Sequence, residues 1–177
     1  MAELDADLVS IQEARSLAVA AKAAQKQFMA ADQAQVDRIC QAMVDAIMRD
    51  SARLAQLAHD ETGYGVTAHK TLKIEFAAKG VWDSIKDTPT VGVLRRDEAR
   101  GIIEIGWPVG VVVGLTPSTN PNSTAIFKVL ISVKARNAII IAPHPSAVEC
   151  TCAAVQLMAQ AGERAGMRHR RRAAGAI

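Results

Sequence analysis

Two apolar runs constrain this chain more than any other feature. Val111, Val112 and Val113 form the first, and Ile139, Ile140 and Ile141 form the second. Both are β-branched and too short for a buried helix. The first leads into "LTPSTNPNSTAIFK", a loop with two prolines, two asparagines and several small hydroxyls, and then into a helix over about 122–135. The second is bounded by Asn137 and Pro143 and reads as a strand buried on both faces. Strand, helix and strand in this order predict a parallel β-α-β unit, with residues 111–115 and 138–142 as adjacent strands. Ser146 is placed to cap a last helix over 146–165. Ligands bind at the C-terminal ends of strands in such sheets, so the loop at 115–121 is the first place to look for a site.

The rest of the chain divides by texture. Residues 8–30 carry Leu8, Ile11, Leu17, Ala18 and Ala21 at helical spacing. Asp32 reads as the N-cap of a second helix, with Val36, Ile39, Met43 and Ile47 on its apolar face and Gly63 as its stop. A third helix is predicted over 67–86. From Thr88 the pattern turns to β-branched runs and turn residues, giving short strands near 91–95, 101–106 and 109–114. The resulting segments are 1–87 (helical), 88–108 (a strand-rich arm), 109–166 (a β-α-β-α unit) and 167–177 (a basic tail). The fold class is α/β, with a truncated doubly wound parallel sheet in one incomplete domain. Aromatics make up only 3% of the residues and half of all residues are apolar, so the core must be built from Ala, Val, Ile and Leu.

The net charge of +3 is local, because Arg168, Arg170, Arg171 and Arg172 supply more than the excess. The remaining surface is near neutral and gives no support for a nucleic-acid partner. Cys40, Cys150 and Cys152 are an odd set with no disulfide framework. No apolar run reaches the ~20 residues needed to span a bilayer. No membrane partner and a cytoplasmic location are expected.

The blocks "ETGYG", "GWPVGVVVGLTPSTNPNSTAIFKVLISVKARN" and "AIIIAPHPSA" resemble the aldehyde dehydrogenase superfamily, specifically its CoA-acylating branch. That branch includes acetaldehyde and sulfoacetaldehyde dehydrogenases and the aldehyde half of aldehyde-alcohol dehydrogenases. The resemblance runs over about residues 8–166. It implies a Rossmann-like oxidoreductase with a nucleotide-binding domain, a catalytic domain and an oligomerisation arm. Residues 109–166 would then be a partial nucleotide-binding unit. In the family a cysteine thiolate attacks an aldehyde, hydride passes to NAD or NADP, and CoA takes the acyl group.

By motif position the resemblance assigns Asn120 as the asparagine whose amide steadies the oxyanion, with Thr119 as the alternative alignment. The chemistry asks for a neutral donor where charge develops. The plain alternative is a turn or N-cap asparagine. Thr116, Pro117 and Ser118 would line the nicotinamide side of the cleft, or simply make the strand-to-helix turn. His144 would touch a phosphate or the adenosine, or sit on the surface. Gly106, Gly110 and Gly114 do not form a dinucleotide fingerprint and read as strand bends. The spacing of Cys150 and Cys152 suits neither zinc nor one helix face, and core thiols are the simpler reading; no metal is expected.

None of the three cysteines matches the family nucleophile. The expectation is a chain that ends before that residue and is inactive alone, with a small aldehyde, CoA and NAD(P) as ligands of the family. The competing expectation is a non-enzymatic module that self-associates or pairs with a full-length relative through an open sheet edge. The arginine-rich tail reads as a non-native end.

Overall fold

In a computed structural model, residues 5–167 are described. Helix α1 spans Ala6–Phe28 and α2 spans Gln33–Thr62. The predicted cap of α2 is present: Asp32 Oδ1 accepts the Gln35 amide at 2.7 Å. At the other end Gly63 takes a left-handed φ of 67° and its N–H returns to the His59 carbonyl. A left-handed C-cap is what glycine permits without a Cβ clash. Between these caps Val36, Ile39, Met43, Ile47 and Leu54 form a buried stripe. That stripe makes α2 the spine on which α3, α5 and α6 pack.

Helix α3, Thr67–Glu75, runs through a π-turn at Phe76–Gly80 into the short α4, Val81–Ile85. The helix expected over 67–86 is thus one continuous rod with a widened turn. Gly80 permits that turn, since a Cβ there would sit 2.8 Å from the Phe76 ring. Strands β1, Gly92–Asp97, and β2, Ile102–Gly106, form an antiparallel hairpin whose register shifts at Leu94.

Strands β3, Val111–Leu115, and β4, Ala138–Ala142, pair in parallel from Val111 with Ala138 to Leu115 with Ala142. Helix α5, Pro121–Lys134, connects them. These are the strands and the adjacency read from the sequence. Ile139 and Ile141 join Ile126, Val129 and Leu130 of α5 in the core. The far side of this two-stranded sheet faces α1, which packs on both strands.

The turn from α5 to β4 is held by polar contacts. Arg136 adopts φ 58°, uncommon for a residue with a side chain. Its guanidinium donates to the carbonyls of Met29 and Gly106 at 2.8 and 3.1 Å, clipping the α1–α2 link to the end of β2. Asn137 Oδ1 accepts the Gly110 amide at 2.9 Å and fixes the entry to β3.

One expectation fails at the last helix. Ser146 does not cap it. Residues Pro145–Ala147 form a 3₁₀ turn, and α6, Val148–Arg164, starts after it with Ala147 at the N-cap. The orphan amides of α6 are met from another helix. Glu61 near the end of α2 accepts the amides of Glu149 and Cys150, both at 2.8 Å. A serine before an apolar helix is a good local signal, but a carboxylate brought in by tertiary packing satisfies two amides at once and adds charge at the helix N-terminus. The basic tail, apart from Met167, lies outside the described residues.

Candidate functional site

The two parallel strands end together. The Thr116 amide donates to the Ala142 carbonyl at 3.1 Å, so the loop after β3 and the "PHP" turn after β4 leave from one edge. Thr116, Pro117, Ser118, Asn120 and His144 therefore share the C-terminal edge of the sheet. Their surroundings differ. Thr116 is buried and its Oγ1 has no hydrogen-bond partner among the described residues. Pro117 is exposed and Ser118 is half-buried. His144 is exposed, and its Nδ1 accepts the Ser146 amide at 3.2 Å. With Nδ1 accepting, Nε2 is the ring nitrogen left for a further partner.

Asn120 is the N-cap residue of α5, with Pro121 at the first helical position. Its backbone carbonyl accepts the Thr124 amide at 3.2 Å. Its side chain, however, makes no cap hydrogen bond. The Oδ1 atom accepts instead from Lys73 Nζ of α3 at 2.9 Å, and Nδ2 lies 3.5 Å from Thr119 Oγ1. The turn-asparagine reading thus accounts for the backbone of Asn120 and not for its amide. Next to it, Asn122 is buried and donates from Nδ2 to the Leu54 carbonyl at 3.0 Å, which ties the first turn of α5 to α2.

Two lysines stand against this loop. Lys70 and Lys73 are three residues apart and so share a face of α3. Lys70 Nζ reaches the Thr119 carbonyl at 3.5 Å. Burial, helped by the Lys73 charge, pulls the Lys70 ammonium below the usual lysine value. Among the described residues neither lysine has a carboxylate within 4.0 Å.

Asn120 and Lys73 open onto a groove of about 630 Å3. Leu72 and Phe76 from the α3 rod and Phe127 from α5 give it apolar walls. Phe76 stands 72% exposed there, on the π-turn. None of Thr116, Pro117, Ser118 and His144 lines this groove. The loop therefore presents Asn120 to a groove that the other four candidates do not reach.

The sequence reading missed Lys73 and the groove walls. A signal was available for the lysines: neither has an Asp or Glu three or four residues away on the helix, so neither is explained by a helical ion pair.

The cysteines are elsewhere. Cys40 and Cys150 are fully buried, and Cys152 is half-buried. Burial, outweighing the attraction of Lys134, pushes the Cys40 thiol up to about 12. Burial and then the Glu61 carboxylate push Cys150 up to about 12. Thiols in this state are poor nucleophiles.

A family model for the aldehyde dehydrogenase family matches residues 5–169. The chain belongs to the aldehyde dehydrogenase family. It is 40% identical over 159 residues to the bifunctional aldehyde-alcohol dehydrogenase AdhE of Escherichia coli K12, a match covering 90% of this chain and 18% of that protein. The crystal structure of an acetylating aldehyde dehydrogenase from Geobacillus thermoglucosidasius superposes with a TM-score of 0.91 at 52% identity, covering 94% of this chain and 37% of that one. The propionaldehyde dehydrogenase of Rhodopseudomonas palustris, with bound CoA and an acylated cysteine, superposes at 0.75 with 26% identity, covering 88% of this chain and 35% of that one. The chain thus spans well under half the length of these aldehyde dehydrogenases. Its relatives include acylating enzymes, in line with the branch that the sequence blocks resemble.

Proposed function

We propose that this chain carries the oxyanion side of a CoA-acylating aldehyde dehydrogenase site, with a small aldehyde as the substrate class. The observation that supports this reading most is the Asn120 amide, which does not cap its helix and opens onto an apolar groove beside it. An amide N–H there is a neutral donor for an oxygen that becomes negative. The walls of Leu72, Phe76 and Phe127 suit a short apolar substituent.

The residues at the shared strand edge fit a nicotinamide dinucleotide. The Thr116 hydroxyl is buried without a partner among the described residues, and the exposed His144 ring stands at the same edge with its Nδ1 engaged by the Ser146 amide. In the bound state NAD or NADP supplies the hydride acceptor. Thr116 and Ser118 would hold it from the β3 loop and His144 from the β4 turn, with Pro117 stiffening the loop between them.

By itself the chain carries out no covalent step. Its three thiols lie in or beside the helical core and are held protonated, and none lines the groove at Asn120. The test is to follow NAD(P)H formation by the purified chain with acetaldehyde or sulfoacetaldehyde and CoA, and to titrate NAD and NADP into the 15N-labelled chain. No turnover is expected, with resonance shifts at Thr116, Ser118 and His144. Turnover abolished by Cys150→Ala or Cys152→Ala, or no shifts at those three residues, would overturn the reading.

A second reading is favoured by the hairpin. Val93, Ile102, Ile103 and Ile105 are about half exposed on β1 and β2. An apolar arm of this kind supports an assembly role, with a second copy or a full-length relative as the partner.

A further inference from the structure

We infer that Lys73 is a positioning residue for Asn120: its ammonium holds the Asn120 amide away from the helix N-terminus and turns the amide nitrogen into a ligand-facing donor. The inference rests on the reading of Asn120 as an oxyanion donor.

The starting point is a competition. Asparagine at an N-cap ordinarily turns its side-chain oxygen onto the amide of the second or third helical residue, and that bond stabilises a helix by ~1 kcal/mol. In α5 those residues are Asn122 and Ser123, since Pro121 has no N–H to offer. Asn120 stands at the N-cap with φ −136° and ψ 54°, outside the extended region usual for a capping residue, and its side chain does not make this bond. Its Oδ1 is engaged by Lys73 Nζ at 2.9 Å. A charge-assisted bond of this kind is stronger than a neutral amide–amide bond, so Lys73 wins the oxygen.

The chemistry of the pair then fixes which end of the amide is left. An ammonium has three donors and no acceptor, so it can meet only Oδ1. Nδ2 must be the outward end. Its nearest acceptor, Thr119 Oγ1, is at the limit of hydrogen bonding at 3.5 Å. A donor group with a weak partner, on a residue lining a groove, is poised to donate to something in that groove. The positive charge on the oxygen side also draws electron density from the nitrogen, which makes its N–H a better donor to an oxyanion.

Lys73 is also oriented for this contact. It sits on α3 with Ile74 buried beside it and the π-turn immediately after. Lys70, one turn earlier, reaches the neighbouring Thr119 carbonyl, so α3 grips the loop at two successive residues. No carboxylate competes for Lys73 within 4.0 Å among the described residues.

The experiment uses the 15N-labelled full chain and its Lys73→Met and Lys73→Arg variants. Exchange of the Ser123 backbone amide and the side-chain amide signals of Asn120 are measured in each. In the parent chain Ser123 is expected to be unprotected by a side chain. In Lys73→Met the freed Oδ1 should fall back onto the helix, slowing Ser123 exchange roughly fivefold, the size of an ordinary cap. The Asn120 side-chain nitrogen should move at the same time. Lys73→Arg should behave as the parent chain. A lysine that merely packs would show no gained protection at Ser123 and no rescue by arginine. Ser123 exchange that is equal in the parent chain and Lys73→Met overturns the inference. That result would leave the oxyanion reading untouched, because the reading is judged by cofactor binding and turnover, which do not enter this measurement.

Discussion

Glu61, one residue from the end of α2, places its two carboxylate oxygens on the amides of Glu149 and Cys150 at 2.8 Å each. Residues 88 positions apart are joined there, and α6 acquires the N-terminal cap that its own sequence does not supply. Desolvation works to raise the Glu61 carboxyl. The Cys150 thiol and the amides of Cys150, Glu149 and Val148 outweigh it and hold the group below its ordinary value of 4.5.

A depressed carboxyl contributes stability that is present above its unfolded value and lost as pH falls through its folded value. The chain should therefore lose a Glu61-dependent part of its stability below about pH 4.5. Glu61→Gln is expected to lower stability by ~1 kcal/mol at neutral pH, as for loss of a cap. The gap between the two chains should narrow as pH drops below that value. Thermal melts at a series of pH values would check this, and a gap independent of pH would contradict it.

A second link across the core predicts an asymmetry. Lys134 at the end of α5 is 2% exposed, bonds to Asp37 of α2 and to the Lys86 carbonyl at 2.9 Å, and lies 5.4 Å from the centre of the Trp82 ring. Removing the acid leaves a buried ammonium with its charge uncompensated, whereas removing the lysine removes the charge itself. Asp37→Ala should cost ~3 kcal/mol, at the low end for a broken buried pair because Asp37 keeps part of its surface in water. Lys134→Met should cost less than half of that. Urea unfolding of both variants gives the comparison, and a reversed order would show that the pair does not act through its charge.

The thiols give a chemical test. With Cys40 and Cys150 pushed up to about 12 by burial, both stay thiols at pH 8. A disulfide reagent should leave both intact in the folded chain. Cys152, half-buried and raised by burial and then by Glu61, should react slowly. All three should react at once in denaturant. Fast modification of Cys150 in the native chain would mean that its environment is more open than its packing on Ala58 and Ala147 allows.

Local chemistry made much of this molecule readable in advance. Asp32 and Gly63 delimit α2 because capping is decided within a few residues, and the isoleucine run of β4 can be little else than a buried strand. The β3–α5–β4 order followed from the same short-range signals. What could not be read locally depends on residues far apart. Ser146 looked like a cap because nothing near it announces Glu61. Arg136 looked like part of a motif, and its work as a clip between Met29 and Gly106 is visible only when three distant segments meet. The place of Asn120 at the start of α5 was legible from its loop, but the lysine that bonds to its side chain lies 47 residues earlier, on a helix whose pattern by itself says only amphipathic.

The last prediction concerns association. Among the described residues the chain forms two sheets of two strands each, so every strand has an edge without a partner. Such edges invite pairing unless they are covered or charged. On β3, Val113 and Leu115 are 63% and 69% exposed, so the sheet also shows an apolar face next to its open edge. On the hairpin, Ile103 and Ile105 alternate onto the same face, and Val93 stands across from Ile105. Ion pairs of Arg95 with Asp97 and Glu104, at 3.1 and 3.9 Å, and of Arg100 with Asp97, at 3.9 Å, put charge on part of the arm and leave its isoleucines and Val93 exposed. The combined apolar surface is the kind that marks an interface rather than a solvated wall. The chain is therefore expected to self-associate, with the weight-average mass in sedimentation rising with concentration. Ile105→Glu places a charge on the apolar face of the hairpin opposite Val93 at no cost to the core, since Ile105 is 57% exposed. It should shift the equilibrium toward monomer if the arm is the contact. A persistent oligomer in that variant would move the contact to the edge of β3 and β4, and a monomer at every concentration in the parent chain would show that these surfaces are tolerated in water.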